Sequence, residues 1–419
     1  MQSGKKRVIK NAIYLSGASY IGMISSGVLT ILMARYLGVS DFGKYVTIFS
    51  FISFGSILAD FGIPPIIVRN VSKDLSLGNT YFFNCCFLLL LFSVIAFFVI
   101  NGAAFAVYDD KQLKFLILIA SLSFFPNAIS ATCGGLFRAF EYMKIPSLIN
   151  ALMSIFFFLI MSLILFTATN KLFALIIAHL CISLLYIGVI IRVLKKLVRL
   201  NVQKIDYSLC LSVLKESFAV AFIRMFGIIN QRIDIIMLST MSGVSTVGFY
   251  GVSSRLIKFV NVPFAGLGMS LLPRVSSSSR KSQSLKRIYG EAQKFYLFFA
   301  FLIAIVVFVL SKEIISILFG SDYVAGQSHI ALRILILSFL FNKISGPAGV
   351  VILSLKERMN KLIPFAFAVA LLSVTLNLFL IPRYGIIGAS FATLTCAMVM
   401  TAIKLFLVKQ IVKVKNGVS

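Results

Sequence analysis

The chain has 419 residues, of which 59% are hydrophobic and 13% charged, and its mean hydropathy is +1.01. Soluble domains carry about 25% charged residues, so a water-soluble globular fold is excluded and the sequence reads as an all-α integral membrane protein. The formal net charge of +27 raises nucleic-acid binding, but the placement of that charge, described below, argues against it.

A membrane-crossing helix needs about 20 mainly apolar residues, and backbone in hydrocarbon must satisfy its own hydrogen bonds. Twelve runs meet that length: 12–34, 44–67, 82–107, 113–137, 147–169, 172–194, 218–240, 247–272, 295–317, 329–353, 362–381 and 386–408. The first follows a basic start like a signal peptide, but it is too long for one and lacks a small-residue cleavage pattern, so it is expected to stay as a helix. It carries Ser16, Gly17, Ser19, Gly22, Ser25, Ser26 and Gly27. Small residues at this density serve either close helix packing or a polar face on a water-filled cavity.

Between the first two runs lies Gly38-Val39-Ser40-Asp41-Phe42-Gly43-Lys44-Tyr45, which returns 205 residues later as Gly243-Val244-Ser245-Thr246-Val247-Gly248-Phe249-Tyr250. Five of the eight positions are identical, and each copy separates the first and second runs of its own half. That repeat points to internal duplication rather than two unrelated glycine turns. Tyr36, Tyr45 and Tyr250 flank the turns, where an aromatic belt is expected. A fainter trace is Glu141-Tyr142-Met143 against Glu357-Arg358-Met359, both expected in cytoplasmic turns.

The second run ends in Asp60-Phe61-Gly62-Ile63-Pro64-Pro65, where two prolines break the helix beside an intramembrane acid. Asp60 is therefore either a functional carboxylate or the partner of a nearby arginine such as Arg69. Residues 195–217 alternate leucines with lysines and read as a basic amphipathic helix on the inner leaflet. The resulting domains are 1–200, an N-terminal six-helix lobe; 201–217, a cytoplasmic amphipathic linker; and 218–419, a C-terminal six-helix lobe. Repeats with an even number of crossings run parallel, about an axis along the membrane normal.

With the amino terminus inside, most of the 40 Lys and Arg fall in the tails and even-numbered connections. That is the positive-inside bias, and it places both termini in the cytoplasm. The basic loops then face anionic lipid rather than nucleic acid. The polar 276–281 stretch is a cytoplasmic connector. The six cysteines show no metal-ligand spacing and are read as apolar fillers. His179 and His329 have no carboxylate close in sequence and are read as structural.

The second half holds the unusual residues: Arg224, Arg232 and Asp234 in the seventh run, Arg255 and Lys258 in the eighth, Arg333 and Lys343 in the tenth. At the 205-residue offset the first half has Ser19, Gly27, Ser50 and Ser53 opposite Arg224, Arg232, Arg255 and Lys258. Arg232 lies eight residues before the end of the seventh run and Arg255 eight after the start of the eighth, roughly 12 Å deep. A central Arg or Lys costs about 2.5–3.5 kcal/mol to insert. Two explanations stay open: a wet cavity in which Arg224, Arg232, Arg255, Lys258, Lys343 and Arg333 receive an anion, with Asp60 or Asp234 coupling or gating, or structural ion pairs with snorkelling.

Ala34-Arg35-Tyr36-Leu37-Gly38 running into Phe42-Gly43-Lys44-Tyr45, Asp60-Phe61-Gly62 with Arg69, Gly248-Phe249-Tyr250 with Arg255-Leu256, and Leu272-Pro273 together resemble the polysaccharide exporters, lipid-linked O-antigen oligosaccharide flippases of the MATE-like MOP superfamily. The resemblance implies a MATE-like fold of twelve helices in two pseudo-symmetric six-helix lobes. It implies a substrate of undecaprenyl-pyrophosphate-linked oligosaccharide, moved from the inner to the outer leaflet of a bacterial inner membrane by alternating access. It further implies no cofactor beyond a proton or sodium gradient. The implied partners are membrane lipids, polysaccharide polymerase and chain-length proteins, with no nucleic acid. A cation/drug antiporter of the same superfamily would want buried carboxylates, and a peptidoglycan-precursor flippase usually has about two more helices. A membrane enzyme of polysaccharide assembly would need a catalytic loop longer than these connections.

Overall fold

The computed structural model describes residues 2–198, 201–264, 282–349 and 356–416, and all regular structure among them is helical. In chain order the helices are α1 (Gln2–Asp60), α2 (Ile63–Val71), α3 (Gly78–Val107), α4 (Lys111–Ser121), α5 (Phe124–Ala139), α6 (Lys144–Thr167) and α7 (Lys171–Leu197). They continue as α8 (Tyr207–Met241), α9 (Val244–Val260), α10 (Ser282–Val309), α11 (Ser311–Phe319), α12 (Ser321–Ala325), α13 (Ser328–Ile344) and α14 (Lys356–Asn416). The chain divides into two compact units, Met1–Leu37 with Lys44–Ile229, and Gly38–Gly43 with Asn230–Ser419. The division falls inside α8, which is continuous.

Seven segments among the described residues are long and apolar enough to cross a membrane. Two of them, Tyr20–Val71 with 52 residues and Ile363–Gln410 with 48 residues, have more than twice the length of one crossing. Glycines divide them. Gly38 has φ 77° and ψ 173° inside α1, and Gly385 has φ 54° and ψ −127° inside α14. The arms on either side match the runs predicted at 12–34, 362–381 and 386–408, while the run at 44–67 breaks at Phe61 and Gly62 and continues into α2. α8 carries five charged residues over its length and is not among the seven, so the predicted count of twelve crossings is not reached on this measure.

In the first unit, α2, α3, α5, α7 and the start of α8 enclose a core that includes Ile63, Ile67, Leu89, Leu136, Ile190 and Val213. Phe61 and Gly62 take positive φ, 39° and 69°, which ends α1 and lets Pro64 and Pro65 open α2, where a missing N–H costs nothing. A β-carbon at Gly62 would lie 2.9 Å from Ala221 N and Ser217 O on α8. In the second unit, Phe264, Tyr296, Ala300, Ile336 and Phe339 join α10 and α13, and Tyr296 donates to Phe264 O at 3.1 Å.

The duplicated turn has the same backbone twice. Gly243 has φ 86° and ψ 161°, close to Gly38, in a region that side chains rarely adopt. The two copies also clasp each other reciprocally within the second unit. A β-carbon on Gly43 would overlap Val244 O, and one on Gly248 would overlap Val39 O. Val39 and Gly43 are the counterparts of Val244 and Gly248 at the 205-residue offset.

Several expectations need correcting. The 195–217 stretch is not one surface helix: α7 ends at Leu197, 201–206 is non-helical, and Tyr207 opens α8. Asp206 caps that helix, accepting from Ser208 N at 2.9 Å and Leu209 N at 3.1 Å. The run 113–137 is two helices broken at Leu122 and Ser123, and the run 295–317 breaks at Leu310. Glu141 sits in a turn, but 357–359 are helical. Tyr36 is exposed as a belt residue should be, whereas Tyr45 and Tyr250 are buried. The Leu272-Pro273 motif, the 276–281 connector and the ends of the runs at 247–272 and 329–353 lie outside the described residues.

Candidate functional site

The tight turn at Gly243 folds α9 back on α8 within the second unit. Arg232 then lies roughly 14 Å along α8 from the turn and Arg255 roughly 17 Å along α9, so both come to one level. Arg255 and Lys258 share a face of α9 at i, i+3 spacing. Arg232, Arg255 and Lys258 stand near enough to repel one another, with Asp234 the acid facing Arg232 and Lys258.

Asp234 is not available to neutralise them by direct pairing. Its side chain is 9% exposed, accepts the Tyr250 hydroxyl, and accepts Ile235 N–H at 2.8 Å. Tyr250, 1% exposed, also lies 3.3 Å from Thr393 Oγ1, so α8, α9 and α14 meet at one buried polar knot. Neither Arg232 nor Lys258 forms an ion pair or a side-chain hydrogen bond among the described residues. Arg232 and Lys258 thus stand beside a carboxylate whose oxygens are already engaged by Tyr250 and the Ile235 N–H.

The other three predicted cations have different partners. Arg224 belongs to the first unit and pairs with Asp60. Arg69, the sequence's candidate for Asp60, pairs instead with Glu216, whose carboxylate also accepts from Asn70 at 3.1 Å. Arg333 donates to Phe308 O at 3.2 Å and Ser311 Oγ at 2.7 Å and lies over the Phe308 ring. Lys343 sits 4.7 Å from the Phe264 ring and 5.2 Å from Phe339, a cation–π arrangement. Lys404, read from sequence as tail, is close enough to repel it. Within the second unit the structure thus gathers Arg232, Arg255, Lys258 and Asp234 and gives Arg333 and Lys343 other partners, while Arg224 and Asp60 pair within the first unit.

Tyr250 is the residue that sequence reasoning missed as part of the site. Its place seven residues past a glycine, opposite an intramembrane acid, was the available signal. The first unit contains a cavity of about 550 Å³ whose lining includes Gly22, Ser26, Asn127, Asn150, His179 and Tyr186. Among the described residues, no carboxylate, lysine or arginine lines it.

The sequence model described as a polysaccharide biosynthesis protein matches residues 8–279, more than half of the chain, and the MatE model matches residues 219–379. An uncharacterized membrane protein of Methanocaldococcus jannaschii is 22% identical over 420 residues, covering 93% of this chain and 82% of that protein. Among solved structures, the chain superposes with a TM-score of 0.76 on lipid II flippase MurJ in an inward closed conformation, at 19% identity over 95% of this chain and 87% of that one. A multidrug-resistance MATE transporter in an inward-facing conformation gives 0.75 at 13% identity, covering 95% and 96%. A MOP-superfamily transporter from Pyrococcus furiosus, described as having a binding pocket of reverse polarity, gives 0.67 at 12% identity, covering 96% of each. The chain belongs to the polysaccharide biosynthesis protein family and has the fold of the MOP-superfamily transporters.

Proposed function

We propose that the chain is a flippase that moves a polyprenyl-pyrophosphate-linked oligosaccharide, an O-antigen or capsule repeat unit, from the inner to the outer leaflet of the bacterial inner membrane by alternating access. The observation that carries this reading is the cluster of Arg232, Arg255 and Lys258 around a carboxylate already engaged by Tyr250. A pyrophosphate supplies an anion for Arg232 and Lys258, and arginine matches its oxygens by paired donors. A cationic drug would meet repulsion at the same place. Membership of the polysaccharide biosynthesis family supports a sugar-bearing cargo, and the MurJ fold supports carriage on a lipid.

In this reading the pyrophosphate enters from the inner leaflet, the prenyl chain stays in lipid, and both termini are cytoplasmic. Asp60, held by Arg224 with its Oδ1 buried and unpartnered, is the carboxylate we assign to coupling with a proton or sodium gradient. Deleting the gene should cause lipid-linked repeat units to accumulate on the inner leaflet. Arg232→Glu or Arg255→Glu should abolish surface polysaccharide while protein stays in the membrane. Full activity of both variants removes the site assignment, and drug sensitivity without accumulation favours an antiporter.

A further inference from the structure

The cavity of the first unit has a chemistry opposite to that of the cationic cluster. Its lining comes from α1 (Gly22, Ser26), α5 (Asn127), α6 (Asn150) and α7 (His179, Tyr186). The polar groups are amides, hydroxyls and an imidazole, with the rings of Phe157 and Phe158 beside them. Tyr186 donates to Asn150 Oδ1 at 2.8 Å, which fixes both side chains. His179 is packed between Phe49 and Phe157, at ring distances of 4.7 and 5.6 Å, and its Nδ1 is buried with no hydrogen-bond partner among the described residues. Gly22 leaves room that a side chain would take: a β-carbon there would stand 3.2 Å from Ser154 Oγ.

Polar groups are costly in the middle of a membrane protein unless something satisfies them. Among the described residues, a cation would find no carboxylate here, and an anion no guanidinium or ammonium. The volume of about 550 Å³ falls within the range of about 300–1,000 Å³ typical of small-molecule sites. Amides and hydroxyls for hydrogen bonds, with aromatic faces for the apolar side of a ring, suit an uncharged, hydroxyl-bearing ring. We infer that this cavity is a carbohydrate subsite that takes uncharged sugar units of the cargo, with Asn150 and Tyr186 as its central hydrogen-bonding pair. The inference rests on the reading that the cargo carries sugars, and it assigns the small residues of α1 to a polar face rather than to close packing alone.

The test uses full-length protein in nanodiscs and saturation-transfer NMR with free glucose, galactose, N-acetylglucosamine and N-acetylgalactosamine, and with inorganic pyrophosphate as the anionic control. At least one sugar should give a saturation signal. Asn150→Leu should weaken its binding about tenfold, the effect of one lost hydrogen bond, and leave the pyrophosphate signal unchanged. Ser26→Leu, on an exposed position of α1, fills the cavity without touching the Asn150–Tyr186 pair and should have the same effect, so it carries the test if Asn150→Leu does not fold. The inference is overturned if none of the four sugars binds, if sugar binding survives Ser26→Leu, or if pyrophosphate binding is what Asn150→Leu removes. Failure of lipid-linked units to accumulate on gene deletion would sink the transport reading while leaving sugar binding here intact. Accumulation together with sugar binding indifferent to both variants would do the reverse.

Discussion

Tyr250→Phe removes one hydroxyl and leaves the ring in place. Tyr250 is 1% exposed and Asp234 9%, so water cannot take over the lost bond. Asp234 would keep only the Ile235 N–H at 2.8 Å. A hydrogen bond to a charged group contributes about 1.5–3 kcal/mol, and that is the destabilisation expected of Tyr250→Phe. The sharper form is a double-mutant cycle with Asp234→Ala, in which the double variant should cost less than the sum of the single ones by about the same amount. The chain has no tryptophan, so unfolding in mixed micelles is followed by circular dichroism. Additivity within about 0.5 kcal/mol would show that the two groups do not interact, and the buried knot linking α8, α9 and α14 would be refuted.

Gly248→Ala should destabilise by about 1–3 kcal/mol because its β-carbon meets the Val39 carbonyl, whereas Gly227→Ala, with open space around it, should be neutral or stabilising on the same unfolding curve. Arg69→Ala should cost no more than about 1 kcal/mol, since the Arg69–Glu216 pair is largely exposed. Arg224→Ala should cost more, because Asp60 is the less exposed carboxylate of the two. Asp110 caps α4 and pairs with Lys44 at 3.1 Å. Partial burial works to raise its pKa, but the Leu113 N–H and Lys44 outweigh that and hold it below the ordinary carboxylate range. Its stabilisation is therefore present above the unfolded carboxylate pKa of about 3.9 and lost as pH falls through the lower folded value. Asp110→Ala should cost about 1 kcal/mol near neutrality, and thermal melts should show that gap narrowing as the pH drops below 4.

The long apolar runs made the helices legible, because few other structures can accommodate so many consecutive hydrophobic residues. The repeated glycine turn was legible for a local reason. Gly38 and Gly243 share positive φ values that only glycine adopts freely, so the motif and its backbone go together. What sequence could not supply was long-range pairing: Asp60 and Arg224 are 164 residues apart, and nothing local prefers Arg224 over Arg69. The amphipathic pattern before Ser217 was misread because leucine–lysine alternation is the same in a surface helix and in the first turns of α8. Tyr250 was misread because a tyrosine beside a turn suits a membrane interface equally well. The serines and glycines of the first helix pointed in two directions, and only the partners on α5, α6 and α7 identify the cavity that Gly22, Ser25 and Ser26 line.

The pyrophosphate site proposed at Arg232, Arg255 and Lys258 can be tested by binding alone. The direct measurement is calorimetric titration of undecaprenyl pyrophosphate into the protein in nanodiscs, comparing wild type, Arg232→Glu and Arg69→Glu. Saturable binding to wild type is predicted, unchanged by Arg69→Glu and weakened at least about 30-fold by Arg232→Glu, the equivalent of about 2 kcal/mol. Equal binding by wild type and Arg232→Glu, or no binding by the wild type, would contradict it.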